Sequence, residues 1–150
     1  MSKEQFAMAM TFLGTAFNKP IDSNTVAVWY EFFQDVPEQT LKSAIKKITL
    51  ISKYLPSVQE LMDMCGDVQE NQINSILQLM WNDGYFKKGS YGELSDEQAY
   101  RNYDKAVMWV GKGIIPEWLA EDMKAYGYVS SPRIEKSDTK MIGMRSEDND

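Results

Sequence analysis

The 150-residue sequence contains no histidine. That removes the side chain whose ordinary pKa lies nearest neutrality, and with it Ser-His-Asp and Cys-His catalysis and His-ligated zinc. A single cysteine excludes an internal disulfide, so nothing asks for an oxidising compartment. No run approaches the roughly 18 apolar residues of a membrane span. The opening segment, one lysine and then a broken apolar run, lacks the form of a secretory signal. The expected location is therefore the cytoplasm. Glycine motifs for phosphates are missing too. There is neither GxxxxGK(S/T) nor GxGxxG, and Gly84, Gly89 and Gly92 are irregularly spaced. The adjacent carboxylates Asp96/Glu97 and Glu121/Asp122 point about 100° apart on a helix and do not converge on one substrate. The terminal Glu147-Asp148-Asn149-Asp150 run lacks the alternating ligands and central glycine of a calcium loop. No enzymatic activity, cofactor or metal site is expected.

What the sequence does have is apolar residues at helical spacing, punctuated by glycine and proline. The fold class is all-α: a compact N-terminal bundle of three to four helices, further short helices and a disordered C-terminal tail. Phe6, Ala9, Met10, Leu13, Ala16 and Phe17 share one arc of a first helix over about 4–18, with Met8 and Phe12 outside it. Val26, Trp29, Tyr30, Phe33 and Val36 share a face of a second, over about 23–36. Val28 and Phe32 widen that face, so this helix is expected to be the most buried. Pro37 and Glu38 suit the start of a third helix. Leu41, Ala44, Ile45, Ile48 and Ile51 form its apolar arc, and Lys42, Lys46 and Lys53 lie opposite with Lys47 alongside. Ser57 with Glu60 forms a capping box for a short fourth helix that ends at Gly66, placing Cys65 on its apolar side. Asp67 with Glu70 repeats the cap before a stripe of Ile73, Ile76, Leu77, Met80 and Trp81. The stretch 85–94 reads as a loop. Ser95 with Gln98 opens another helix closed by Gly111, and Pro116 begins a last one with Leu119, Met123 and Tyr126 on one side. Three segments follow: a bundle over 1–66, a second helical unit over 67–129, and a polar tail over 130–150 too poor in apolar area to order itself.

Charge divides at the same place. Residues 1–66 carry six basic and seven acidic side chains, and residues 67–150 carry ten and fifteen. Such an acidic chain is a poor nonspecific binder of nucleic acid. The lysines at 42, 46, 47 and 53 are the one group that could face phosphates, and the wet side of an amphipathic helix is their plainer explanation. Candidate partner contacts are Met8 and Phe12, off the first helix's core arc, and Tyr126 and Tyr128 flanking Gly127. Tyr85, Phe86 and Tyr91 in the glycine-rich stretch draw attention for the same reason, since aromatics and methionine are enriched at interface cores. A Met141-Ile142-Gly143-Met144 cluster within the polar tail has the form of a docking segment.

Several of these signals recur in one order: Phe6, Pro20, Thr25-Val26-Ala27-Val28-Trp29-Tyr30-Glu31-Phe32-Phe33-Gln34-Asp35, Ala44, and Leu55-Pro56-Ser57-Val58-Gln59-Glu60-Leu61. Over about residues 4–65 this resembles the phage replicative-helicase loader and inhibitor family of Gram-positive phages. The resemblance implies a small non-enzymatic replication protein in the bacterial host cytoplasm. It would bind a hexameric DnaB-type replicative helicase, load or restrain it at the origin, and engage an origin-binding replisome organiser. Weak or no direct DNA binding and no membrane contact are expected. Alternatives from the residues themselves are a DNA-binding phage regulator with a helix-turn-helix-like bundle, or an inhibitor that blocks the host helicase or its loader.

Overall fold

The computed structural model describes residues 1–136 and is mostly helical. Its helices are α1 (Lys3–Ala16), α2 (Ser23–Phe33), α3 (Glu38–Ile51), α4 (Val58–Asn82), α5 (Asp96–Lys112) and α6 (Glu117–Lys124). Between α4 and α5 lie a 3-10 turn (Tyr85–Lys87) and a two-stranded antiparallel ribbon, β1 (Lys88–Gly89) with β2 (Gly92–Glu93). The all-α expectation therefore holds, with this ribbon in place of the expected loop. Gly89 has no room for a side chain there: a Cβ would stand 2.7 Å from the Gly92 carbonyl oxygen. The helices fall into two compact units, residues 1–68 with 132–136, and residues 69–131.

In the first unit, α1 starts with a capping box. The Ser2 hydroxyl accepts from the Gln5 amide at 3.1 Å, and the Gln5 side chain accepts from the Ser2 amide at 2.9 Å. Asp22 caps α2 by accepting from the Thr25 amide at 2.7 Å, a bond to the ionised form that holds its carboxyl below the usual range. The core gathers Phe6, Leu13, Phe33, Leu41, Ile45 and Leu61, all essentially without solvent exposure. Phe6 stacks on Phe33 at 5.7 Å and meets Tyr30 at 5.6 Å. Tyr30 also donates its hydroxyl to the Met1 carbonyl at 2.7 Å, tying down the chain start.

Two expectations for this unit fail. Helix α2 is not the most buried element. Only Phe33 is buried within it, while Val28 and Phe32 are 59% and 58% exposed. The helix lies chiefly against α1, and one neighbour covers one stripe, so the widened flank stays wet. Ile51 is likewise exposed, because Ser52 turns to extended backbone (φ −108°, ψ 143°) and ends the helical phase. Lys53 loses its place on the α3 stripe for the same reason.

Gly66 does not end a helix. Helix α4 runs through it without a break for 25 residues, and Asp67 is an interior residue, not a cap. The Ser57–Glu60 capping box is formed as expected, with bonds of 2.9 and 3.1 Å. Gly66 has another role. A Cβ there would lie 2.6 Å from Lys136 Cγ and 3.3 Å from the Ile134 carbonyl oxygen. The glycine lets residues 134–136 cross directly over α4. Ile134 is buried in the core beside Leu61, Cys65 and Val68, and Lys136 donates to Asp67 at 2.9 Å. Residues 132–136, expected to belong to a loose tail, thus pack on the first unit.

The second unit closes around Leu77, Met80, Phe86, Ala99, Ala106, Val110, Leu119 and Met123. Ser95 and Gln98 form the expected box at the start of α5. The helix continues past Gly111 and stops at Gly113, whose φ of 72° supplies the left-handed cap. Pro116 stands at the N-cap of α6. Trp81 packs on Tyr100 at 4.6 Å and edge-on to Tyr103 at 5.5 Å.

Candidate functional site

The first unit presents an open groove between α1 and α3. Met8 and Phe12, one helical turn apart on α1, form one wall, and Glu38, Lys42 and Lys46 on α3 form the other. Ala9 and Ile45, both buried, make the floor. Depth comes from Ala9: a larger side chain there would fill the gap between the helices. The groove encloses about 300 Å³. Met8 is 74% exposed and Phe12 54% exposed, so two large apolar side chains line a depression that the described residues leave uncovered. Apolar side chains clustered in this way mark interaction surfaces more often than scattered ones do.

The positive rim is smaller than the lysine spacing implied. Lys42 is paired with Glu38 at 3.5 Å, an exposed pair one turn apart, and Gln5 also donates to Glu38 at 3.3 Å. Among the described residues no ion pair reaches Lys46 or Lys47. Of the four lysines, Lys42 and Lys46 line the groove and Lys53 lies off the helix.

Tyr126 and Tyr128 belong to the other unit. Both are half-buried against its core, and Tyr126 donates its hydroxyl to Asp83 at 2.6 Å, a bond that raises its pKa. Phe86 is core, and Tyr85 is half-buried with its hydroxyl donated to Asp122. Burial and that carboxylate both push the Tyr85 pKa upward. Only Tyr91 stands fully in solvent. Met141, Ile142 and Met144 lie outside the described residues.

Cys65 is fully buried, and burial pushes its thiol up to about 12. It is a packing residue of the first core, as its helical phase with Leu61 implied. Among the described residues no cluster of acids and cysteine is arranged to hold a metal ion, and no helix is long and apolar enough to cross a membrane.

Two exposed apolar sets escaped the sequence reading. Val28 and Phe32 form a ridge on α2, and Leu50, Ile51 and Tyr54 crowd the end of α3 with exposures of 73% or more. Val28, Phe32 and Ile51 were expected on core faces.

The fold and groove define a class, a small helical domain that carries an open apolar groove edged by lysines. Residues 1–62 match the family model for the N-terminal domain of a helicase-loader/inhibitor protein of Bacillus phage SPP1. That match supports the phage helicase-loader family suggested by the residue pattern, whose domain is a helicase-binding accessory domain and not a known catalytic one. No curated protein and no solved structure matches the chain.

Proposed function

We propose that the protein is a phage DNA-replication accessory protein that binds a hexameric DnaB-type replicative helicase and loads or restrains it at the origin. One observation carries this reading. The family match covers residues 1–62, and every residue lining the α1/α3 groove falls inside that span. The groove is suited to an amphipathic helix with apolar anchors and an acidic flank, the chemistry of helix-in-groove recognition. Helicase binding through it needs no catalysis from this chain. Direct DNA binding stays weak, since so few lysines release few counterions. The setting is the bacterial host cytoplasm, with an origin-binding replisome organiser as a second partner.

The test mixes the purified full chain with the phage helicase and, separately, the host helicase, and measures complexes by size exclusion and native mass spectrometry. A stoichiometric complex is expected with at least one of them, and its absence with both rejects the reading. Loading and restraint then separate on DNA coated with single-strand binding protein: loading raises unwinding and restraint lowers it. The Met141–Met144 cluster is proposed as a further contact. The buried Ile134 dictates where a truncation should begin, at residue 137 and not at 130, so that the first core stays intact.

A further inference from the structure

The second unit holds a different kind of pocket. It encloses about 390 Å³ and is walled by Tyr85, Phe86, Trp109 and Trp118, with Lys88 and Lys105 among its lining side chains. The two tryptophans meet edge-on at 6.0 Å, and Trp118 is 59% exposed, a large cost in wetted apolar area for a side chain that could have been covered. The Lys88 ammonium stands 5.9 Å from the centre of the Tyr85 ring, at the outer range of a cation–π contact.

The charges around this pocket are not random. Residues 69–131 carry six basic side chains against nine acidic ones. Three of the six are in ion pairs: Lys87 with Asp96 and Glu93, Arg101 with Glu97, and Lys124 with Glu121. Among the described residues, Lys88, Lys105 and Lys112 have no carboxylate partner, and the first two both line the pocket. Beside the partly buried Trp109 and the exposed Trp118, these two ammonium groups make a local cationic aromatic site, while the Asp122 carboxylate is taken up by the Tyr85 hydroxyl.

We infer that this pocket binds an acidic segment of a partner protein, with one aromatic side chain inserted between Trp109, Trp118 and Tyr85 and flanking carboxylates on Lys88 and Lys105. Inserted rings gain from edge-to-face packing on the tryptophans, and carboxylates from charge-assisted bonds to the lysines. Single-stranded nucleic acid fits less well. It needs a basic groove that follows several phosphates, and only two lysines line this pocket. The site does not depend on the helicase reading, and its test uses no helicase.

The test is an NMR titration of the ¹⁵N-labelled full chain with the peptide acetyl-Glu-Glu-Phe-Glu-Glu-amide. The indole N–H signals of Trp109 and Trp118 are expected to move while those of Trp29 and Trp81 stay, and binding should weaken with added salt. The Gln-Gln-Phe-Gln-Gln and Glu-Glu-Ala-Glu-Glu analogues are expected to bind about tenfold more weakly or not at all, as loss of a rim charge or of an anchor predicts. Lys88 and Lys105 are both exposed, so a K88Q/K105Q variant keeps the fold, which unmoved Trp29 and Trp81 signals verify, and it should lose the same factor. The inference is overturned if the acidic peptide leaves Trp109 and Trp118 unmoved. It is also overturned if the glutamine analogue or the double variant binds equally well, or if oligothymidylate shifts the same signals at lower concentration than the peptide.

Discussion

Phe6 and Phe12 sit on one helix and have opposite roles, which makes the pair a sharp test. Phe6 is fully buried against Phe33 and Tyr30. Its replacement by alanine leaves a ring-sized cavity in a close-packed core, at a cost of about 3–5 kcal/mol. Phe12 is 54% exposed, so of the roughly 200 Å² that an aromatic side chain offers, about 90 Å² is covered. At about 25 cal/mol per Å² that is about 2 kcal/mol at most, and about 1.5 once the compactness of the unfolded chain is allowed for. F12A should therefore stay folded and cost about 1.5 kcal/mol, while F6A loses at least about twice as much. In helicase binding the order reverses among folded variants. An aromatic anchor at the centre of an interface is worth about 2 kcal/mol or more, so F12A should bind about 30-fold more weakly or worse. Urea unfolding followed by circular dichroism gives the first number, and titration of labelled protein with helicase gives the second. A folded F12A that binds with unchanged affinity would refute the groove as the contact. An F12A as unstable as F6A would refute the exposure on which the reasoning stands.

Three further outcomes follow from the packing. Gly66→Ala should preserve α4, with a helix-propensity gain of up to about 1 kcal/mol, yet push residues 134–136 off it; tryptic cleavage after Arg133 and Lys136 should quicken, and an unchanged digestion pattern would contradict the close approach. The Cys65 thiol should resist iodoacetamide at neutral pH until the chain unfolds. Because burial raises its pKa from 9.0 to about 12, unfolding releases a proton in that window, so its contribution is present below pH 9 and lost as pH climbs toward 12; Cys65→Ser should flatten that alkaline decline, read from urea midpoints. Ser57→Ala removes the oxygen that accepts the Glu60 amide at 3.1 Å and should cost about 1 kcal/mol, measured by the same unfolding curves.

Local chemistry explains what was legible in the residues alone. Capping boxes at Ser57 and Ser95 are formed because a hydroxyl and a carboxylate or amide three residues on satisfy orphan amides wherever they occur. Cys65 took its apolar phase from Leu61 and is buried with it. Met8 and Phe12 lie off the core arc of α1, and their exposure follows from that phase. The resemblance over residues 4–65 rests on the same core and cap signals, and the family match falls on nearly the same span. Gly66 and Gly111 look like stops, and both lie inside helices. Gly66 admits a distant segment, and the stop expected at Gly111 falls two residues on, at Gly113.

The sequence by itself determined that this chain is helical, where most helices begin, and which side of α1 and α3 faces inward. Those properties depend on spacing and on bonds between near neighbours. It also determined that histidine is absent and that the one cysteine forms no internal disulfide, so chemistry that needs a histidine of this chain is excluded. The tertiary structure alone decided how many neighbours each helix has. That number leaves Val28 and Phe32 wet on α2, draws Ile134 over Gly66, pairs Lys42 while freeing Lys46, and opens the gap above Ala9 that Met8 and Phe12 border. Burial depends on what lies across from a residue, and a periodic pattern specifies only the direction in which a side chain points.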